Sequence, residues 1–527
     1  MFDFLIKNAS IIDGSGGAAV HGNVAVKDGR IAAAGDVDGD AERVIDAHGQ
    51  VVAPGFIDIH SHTDAGLLID PRAQSKITQG ITLELCGQCG FSSGPCLDEA
   101  GRAEVESWRR RHSVEDDWES LDDFLRVLES REIGVNFATL VGHSNLRAAA
   151  VGLGKREASP DEIAKMKSLA AEAMRQGAFG LSTGLQYPPS SFGSTDEIAQ
   201  IASAVAPYGG IYASHTRNER DRIAEADSEA MEIGRRGGVA VQISHQKGYG
   251  EGRSGKTEAV LAMIEDARRT GLDVTVDHYP YTASSTGLGI FLPEWAHDGG
   301  DEALLERIKT RRAELVDHLR KLSAKGRPVW ESVRVSGVRT DENRKYEGMN
   351  LVEVGRARGT SPEEAALDLL SEESGAVSIV HFSQWEGDVV AIMRCEFAMF
   401  GTDASARSTT GELAKGKPHP RAFGTFPRIL GRYVREQKVI PLETAIRKMT
   451  SMAAGKLGLA DRGTVRPGNW ADLVVFDPET VIDTATYENP HQISRGIACV
   501  FVNGRLAVEG GELTGVLAGR VLRKHLI

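Results

Sequence analysis

Cysteine is scarce in this chain, with five residues in 527, and three of them (Cys86, Cys89 and Cys96) crowd one stretch while Cys395 and Cys499 stand alone. That usage excludes a disulfide framework and points to a reducing, cytoplasmic setting. Cys86-Gly87-Gln88-Cys89 has the spacing of a redox pair or of half a zinc knuckle, but no second such pair exists and no helix-initiating redox context follows it. Long apolar runs are missing too: no window approaches the roughly 18–20 residues of a membrane span. The start, Met1-Phe2-Asp3-Phe4-Leu5-Ile6-Lys7, sets an acid inside its apolar stretch and lacks a basic leader, so no signal peptide is expected. There is no clustered Lys/Arg stripe, and the formal net charge of −13 argues against nucleic acid or an anionic membrane as a partner. Internal repeats and low-complexity segments are also absent. What remains, 41% hydrophobic and 26% charged residues over 527 positions, is the composition of a globular enzyme with more than one small core.

The ends of the chain share one grammar. Leu5–Ile12, Asn23–Lys27 and Ile31–Gly35 are short apolar runs divided by Asp13-Gly14-Ser15-Gly16-Gly17 and Asp28-Gly29; Leu473–Asp477, Ile497–Val502 and Leu506–Glu509 repeat the pattern around Asn503-Gly504-Arg505. One β domain assembled from both termini, residues 1–54 and 458–527, is the expectation. Between them, apolar runs alternate with helical patterns, the mark of βα units and a parallel sheet. The expected strands are Phe56–His60, Ile81–Leu85, Asn136–Leu140, Ala178–Ser182, Gly210–Ser214, Val239–Ser244, Asp273–Asp277 and Phe397–Gly401, with Ile379–His381 competing for a place. Eight units favour an α/β architecture, a (β/α)8 TIM-like barrel over residues 55–457, with a small β-sandwich domain beside it. The stretch 284–337 breaks the rhythm with one charged helical pattern, Glu302–Lys321, and reads as an insertion over the barrel mouth; its Phe291–Trp295 segment is either a side-chain pocket or the insertion's hydrophobic foot.

The run Pro54-Gly55-Phe56-Ile57-Asp58-Ile59-His60-Ser61-His62 is an apolar strand ending in two histidines one residue apart. Alternation points both side chains the same way, roughly 6.5–7 Å apart along the backbone, close enough to converge on one ion. Histidines that merely hydrogen-bond at a strand end would look the same. In a parallel barrel, however, functional groups gather at the C-terminal ends of strands, and those ends also offer Cys89, His215, His245 and Asp403. Four histidines, a thiolate and a carboxylate suffice for one zinc or a bridged pair. Zinc lowers the pKa of water it holds, and a neighbouring carboxylate can take that proton and hand it to a leaving nitrogen. Asp403 is the candidate for this shuttle; a turn or helix cap in Gly401-Thr402-Asp403-Ala404-Ser405 is the alternative.

With the strand-His-x-His, then His, His and Asp in this order, wrapped by a β module from both termini, the chain resembles the amidohydrolase superfamily. Its motifs are similar to those of the D-aminoacylase branch, the N-acyl-D-amino-acid deacylases: Gly55–His62, Gly87-Gln88-Cys89-Gly90, Gly180–Tyr187, Ser214–Glu219, Gln242–Lys247, Tyr279–Ser284, Lys417–Pro427 and Pro467–Leu473. The resemblance spans nearly the whole chain. It implies that Cys89, His215 and His245 hold the principal zinc, and that His60, His62 and Asp403 surround a second, weaker or optional site sharing Cys89. The expected fourth strand carries no lysine for a carboxylated bridge, which leaves the thiolate as the bridging group. The resemblance further nominates Lys247, Tyr281 and Arg421 for the substrate α-carboxylate, against ordinary surface charge. The sequence departs from the family pattern at Gln88, Thr216 and Gln246, none of which removes a ligand. The implied activity is zinc-dependent hydrolysis of the amide of a small N-acyl-D-amino acid, with a cyclic-amide or dipeptide hydrolase, or a non-catalytic binding protein of the same fold, as the other readings.

Overall fold

The computed structural model describes residues 1–97, 99–249, 255–325 and 328–524. Strands Phe56–Asp58, Ile81–Cys86, Asn136–Thr139 continued by Val141–Gly142, Gly180–Gly184, Ile211–His215, Ala240–Ile243, Val274–His278 and Ala398–Phe400 pair in parallel and in chain order. The third strand is interrupted at Leu140, so its first half pairs with the second strand and its last two residues with the fourth. Each of the eight expected runs contributes one barrel strand. Ile57, Leu83, Leu85, Ala138, Leu140, Phe179, Ile211, Ala213 and Met399, none more than 2% exposed, fill the interior, as the layered core of such a barrel requires.

The ring closes between the first and last strands, where the ladder is thinnest. The Asp403 amide donates to the His60 carbonyl at 2.8 Å, and Ser61 and Ala404 form an isolated parallel bridge. Gly401 permits this approach, since a Cβ there would lie 2.6 Å from that of His60. Lys76, wholly buried, staples the same seam. Its ammonium donates to Asp58 (2.8 Å) and Ser61 (3.0 Å) on one side and to the Thr402 hydroxyl and Ala404 carbonyl (2.8 Å each) on the other. Glu84 stands 3.2 Å from the ammonium and accepts from the hydroxyls of Ser61 and Thr63. Asp58, Glu84 and the bonds from one cation hold its pKa above the ordinary lysine value although burial opposes charge.

Both ends of the chain meet in one nine-stranded sheet. Its path runs from Glu512–Leu513 through Arg505–Glu509, Ile497–Val502, Leu473–Phe476 and Val51–Pro54 to Phe2–Ile11, Val20–Lys27 and Arg30–Gly35, with Ala41–Asp46 on the far side of Phe2–Ile11. Ile6, Val24, Val26 and Val52 from the N-terminal part share a core with Leu473, Val475 and Phe501 from the C-terminal part. Phe4 meets Phe501 edge-on, ring centroids 5.1 Å apart.

The excursion over the mouth is longer than expected. Ser378–Phe382, a competitor for a barrel place, is instead the middle strand of a small antiparallel sheet between Ala283–Gly287 and Val333–Gly337. The insertion therefore runs to Phe382 rather than ending at Gly337, because its third strand lies beyond the helices that cover the sheet. Those helices enclose a separate core of Leu304, Leu315, Trp330, Leu351, Leu367 and Ile379. The single helix expected over Glu302–Lys321 is two, Asp301–Thr310 and Arg312–Ala324, broken where the Arg311 backbone turns to φ −123° and ψ 28° and its guanidinium lies 3.9 Å over the Trp295 ring. Phe291 and Leu292 belong to the insertion's own core, so the segment is its hydrophobic foot. No helix among the described residues is long and apolar enough to cross a membrane.

Replacing Lys76 by methionine leaves Asp58 and Glu84 as buried carboxylates without their cation, and unfolding free energy in urea should fall by about 3–5 kcal/mol. A loss below about 1 kcal/mol would mean that the ladder alone closes the barrel.

Candidate metal centre

The side chains expected at strand ends converge. His60 lies one residue past Ile59 at the end of the first strand, with its Nδ1 3.1 Å from Asp277 Oδ1 and its Nε2 3.5 Å from both Cys89 Sγ and Asp403 Oδ1. His62 Nε2 is 3.1 Å from the same Asp403 oxygen. Cys89 Sγ is 3.4 Å from His245 Nε2, and the His215 and His245 rings sit edge-on with centroids 4.6 Å apart. Two sets result, His60–His62–Cys89–Asp403 and Cys89–His215–His245, each with its donor atoms within 4.8 Å of one another. Cys89 belongs to both.

Backbone conformation swings three of these groups over the mouth. Cys89, His245 and Asp403 have φ of 53°, 35° and 49°, in the left-handed region where a non-glycine residue costs on the order of 1–3 kcal/mol. Their neighbours hold them there. The Cys89 carbonyl presses on Gly184, where a Cβ would lie 2.1 Å from it, and the His245 amide donates to Asp277 Oδ1 at 2.7 Å. Asp277 therefore fixes two histidines at once. Neither Asp277 nor Glu219, whose carboxylate is 2.8 Å from His245 Nδ1 and 3.8 Å from His215 Nε2, was among the expected site residues. The signal for Asp277 was an acid in an otherwise apolar strand, Val274-Thr275-Val276-Asp277.

Charge in the cluster is strongly coupled. Burial by itself would raise the Cys89 thiol, yet the His60 and His245 rings hold it well below its ordinary value. Burial similarly opposes the charged form of Asp403, and Arg421, His245 and His62 overcome it, keeping the carboxyl far below the usual range. Burial and Lys247 act against a charged His245, but Glu219, Asp403 and Cys89 raise it to about 9; His62 is likewise raised to about 9, against burial, by Asp403 and Cys89. The nest thus attracts cations, protons or a metal alike. Both ring nitrogens of the buried His215 lack a hydrogen-bond partner among the described residues. Orphaned imidazole nitrogens beside a thiolate are a donor set that fits zinc.

Of the residues expected at the substrate carboxylate, Lys247 and Arg421 flank the centre. Arg421 Nη1 is 2.8 Å from Asp403 Oδ2, and Lys247 Nζ is 3.3 Å from Glu219. Tyr281 is not with them. Its amide closes a three-residue turn on the Tyr279 carbonyl at 3.0 Å, and its hydroxyl turns to Asp483 at 3.4 Å, beneath Arg428. The ring between the two cations is that of Tyr279, 4.5 Å from Arg421 and 5.0 Å from Lys247. With Phe91, Tyr187 and Ile290 these groups line a cavity of about 300 Å³ beside Cys89.

The amidohydrolase family profile matches residues 43–276 and 408–508. The chain belongs to the amidohydrolase family. The unmatched interval of this amidohydrolase brackets the insertion. It is 38% identical to a D-aminoacylase of Alcaligenes xylosoxydans xylosoxydans over 524 residues, covering 99% of this chain and 98% of the relative, and 38% identical to an N-acyl-D-aspartate deacylase of the same organism, covering 99% and 95%. Among solved structures, N-acyl-D-glutamate deacylase from Bordetella bronchiseptica, complexed with zinc and a phosphonate mimic of the tetrahedral intermediate, superposes with a TM-score of 0.83 at 33% identity, covering 99% of each chain. An L-hydantoinase from Arthrobacter aurescens, at 15% identity and a TM-score of 0.57 over 99% of this chain and 100% of its own, shares the fold.

Zinc bound through His62 and His245 would have to displace their protons, so on that assignment its affinity should weaken as pH falls from about 9 towards 6. Calorimetry in buffers of different ionisation enthalpy would count the protons released. Cys89→Ala, which takes a donor from both sets, should leave little zinc after dialysis where the wild type keeps at least about one per chain; retention by the variant would exclude Cys89 as a ligand.

Proposed function

We propose that this amidohydrolase is a zinc-dependent deacylase that hydrolyses N-acyl-D-amino acids to a carboxylate and a free D-amino acid. The observation that carries the reading is the placement of Asp403: one carboxylate oxygen faces His60 and His62 of the donor cluster, while the other is gripped by Arg421 at the edge of a cavity holding Lys247 and Tyr279. The likeness over the full chain to D-aminoacylase and N-acyl-D-aspartate deacylase supports the same substrate class. Cys89, His215 and His245 form the tight site in this proposal, and His60, His62 and Asp403 a weaker second site that shares the thiolate. Zinc, when bound, polarises an acyl carbonyl and lowers the pKa of water.

The residues of the chain supply the rest. Asp403 is held ionised by Arg421, His245 and His62, so its Oδ1 is free of a proton and can accept one from the attacking water. The same oxygen then returns it to the departing nitrogen, without which the amine is a poor leaving group. Arg421 offers a planar pair of donors to the α-carboxylate and Lys247 a point charge, with the Tyr279 ring between them as a spacer. Asp277 keeps the His60 ring oriented through Nδ1 and leaves Nε2 facing the cluster. Five free cysteines and no disulfide among the described residues accord with a cytoplasmic setting.

Hydrolysis of N-acetyl-D-amino acids by the purified protein, assayed beside the L-enantiomers, is the direct test; no turnover of any D-substrate would end the proposal. Asp403→Ala should lower kcat by about 10²–10⁴ while the tight metal stays bound. In Arg421→Met, kcat/KM for an N-acyl-D-amino acid should fall by the equivalent of about 2–5 kcal/mol. The matching substrate amide, with no carboxylate to lose, should suffer far less. Equal losses on acid and amide would assign Arg421 to holding Asp403 and not to the α-carboxylate.

A further inference from the structure

Two cavities open on the donor cluster. The smaller, of about 300 Å³, holds Cys89, Lys247 and Tyr279, and a chamber of about 790 Å³ lies beyond His62, Asp403 and Arg421, which line both together with Ser285–Gly287 of the insertion. The smaller cavity has two unlike sides. Glu219, Lys247, Tyr279 and Arg421 follow the fifth to eighth barrel strands, whereas Phe91, Gln186 and Tyr187 follow the second and fourth. In an eight-stranded ring the second and fourth strands stand across from the sixth and eighth. The cations thus gather on one side, and the three side chains facing them from the other carry no charge at neutral pH.

Phe91 is 48% exposed, the only phenylalanine among the described residues left so open. Its ring meets that of Tyr187 with centroids 6.4 Å apart, and Tyr187 in turn leans on the His215 ring at 4.7 Å and shares a hydrogen bond with the Thr286 hydroxyl at 2.9 Å. Gln186 turns its amide to the Thr216 carbonyl at 3.2 Å. The backbone around Phe91 is fixed: its amide donates to the Gln88 carbonyl at 3.1 Å, the Ser92 amide donates to Asn145 Oδ1 at 3.0 Å, and Asn145 Nδ2 donates to the Ser92 carbonyl at 3.0 Å. The open face of a ring held in this way is apolar surface that a ligand can remove from water.

The shape of an N-acyl amino acid decides which part of it reaches that face. A secondary amide is held trans, so the α-carbon and the first acyl carbon lie on opposite sides of it, about 3.8 Å apart. With the α-carboxylate at Lys247 and Arg421, the α-carbon and its side chain stay on the cationic side. The acyl chain runs the other way, towards the second and fourth strands.

We propose that Phe91, backed by Tyr187, is the platform for the acyl group, and that the substrates of this protein carry an uncharged, apolar acyl group larger than acetyl. The inference rests on the deacylase reading and its carboxylate clamp, and deepens it by naming the acyl class.

Two substrate series separate the acyl arm from the side-chain arm: N-acetyl-, N-butyryl- and N-hexanoyl-D-alanine, and N-acetyl-D-alanine against N-acetyl-D-norleucine. With zinc-loaded protein, kcat/KM should rise by at least about fivefold from acetyl to butyryl, a fully buried methylene being worth about fourfold. Phe91→Ala should bring the butyryl-to-acetyl ratio to within about twofold of one, Phe91→Leu should retain part of it, and the norleucine-to-alanine ratio should stay unchanged in both variants. Because each ratio is taken within one preparation, partial misfolding of a variant does not move it. A wild-type butyryl-to-acetyl ratio near one, a preference that survives Phe91→Ala, or a norleucine ratio that falls with Phe91→Ala would overturn the platform while leaving the deacylase intact. Absence of turnover on every substrate of both series would overturn both.

Discussion

One buried cation closes the barrel. The first and eighth strands meet through few backbone bonds, and Lys76 makes up the deficit by binding Asp58 and Ser61 on one side and Thr402 and Ala404 on the other. These partners are the immediate neighbours of His60, His62 and Asp403. The seam that completes the fold therefore also sets the distance between the histidine pair and the carboxylate. A buried ammonium is stable there only because Asp58 and Glu84 accompany it and each of its bonds is directed, so the arrangement tolerates little displacement on either strand.

Above that seam the chain keeps several of the clustered donor groups in strained positions. Three residues of the cluster adopt left-handed backbone conformations, and Asp277, Gly184 and the strand ladder hold them against that cost. The electrostatic design has the same character. Thiolate and carboxylates raise the imidazoles, the imidazoles lower the thiol, and Arg421 and Lys247 stand at the boundary where a substrate anion would join the network.

The insertion turns this balanced centre into a divided site. Its first strand, Ala283–Gly287, contributes Ser285–Gly287 to both cavities, and its hydrophobic core stands apart from that of the barrel. Two walls of opposite origin, barrel loop and inserted sheet, thus meet at Asp403 and Arg421. The family profile leaves residues 277–407 unmatched, an interval that holds the insertion together with the last barrel strand and Asp403.

The eight strands and the convergence of six strand-end side chains were legible in the sequence because both follow from local rules: alternation sets which side chains face one way, and the C-terminal ends of parallel strands collect polar groups on one rim. The β module from both termini was legible from its turns for the same reason. Other features were settled by tertiary contact. Tyr279 rather than Tyr281 stands between Arg421 and Lys247 because a three-residue turn and Asp483 draw the second ring away. Asp277, Glu219 and Lys76 acquire their roles from partners between 4 and 328 residues distant in sequence. Ser378–Phe382 is locally indistinguishable from a barrel strand and joins the inserted sheet because its edges pair with Ala283–Gly287 and Val333–Gly337. Local periodicity determines what a segment can be; which of two equivalent segments is used depends on partners brought close only when the barrel closes.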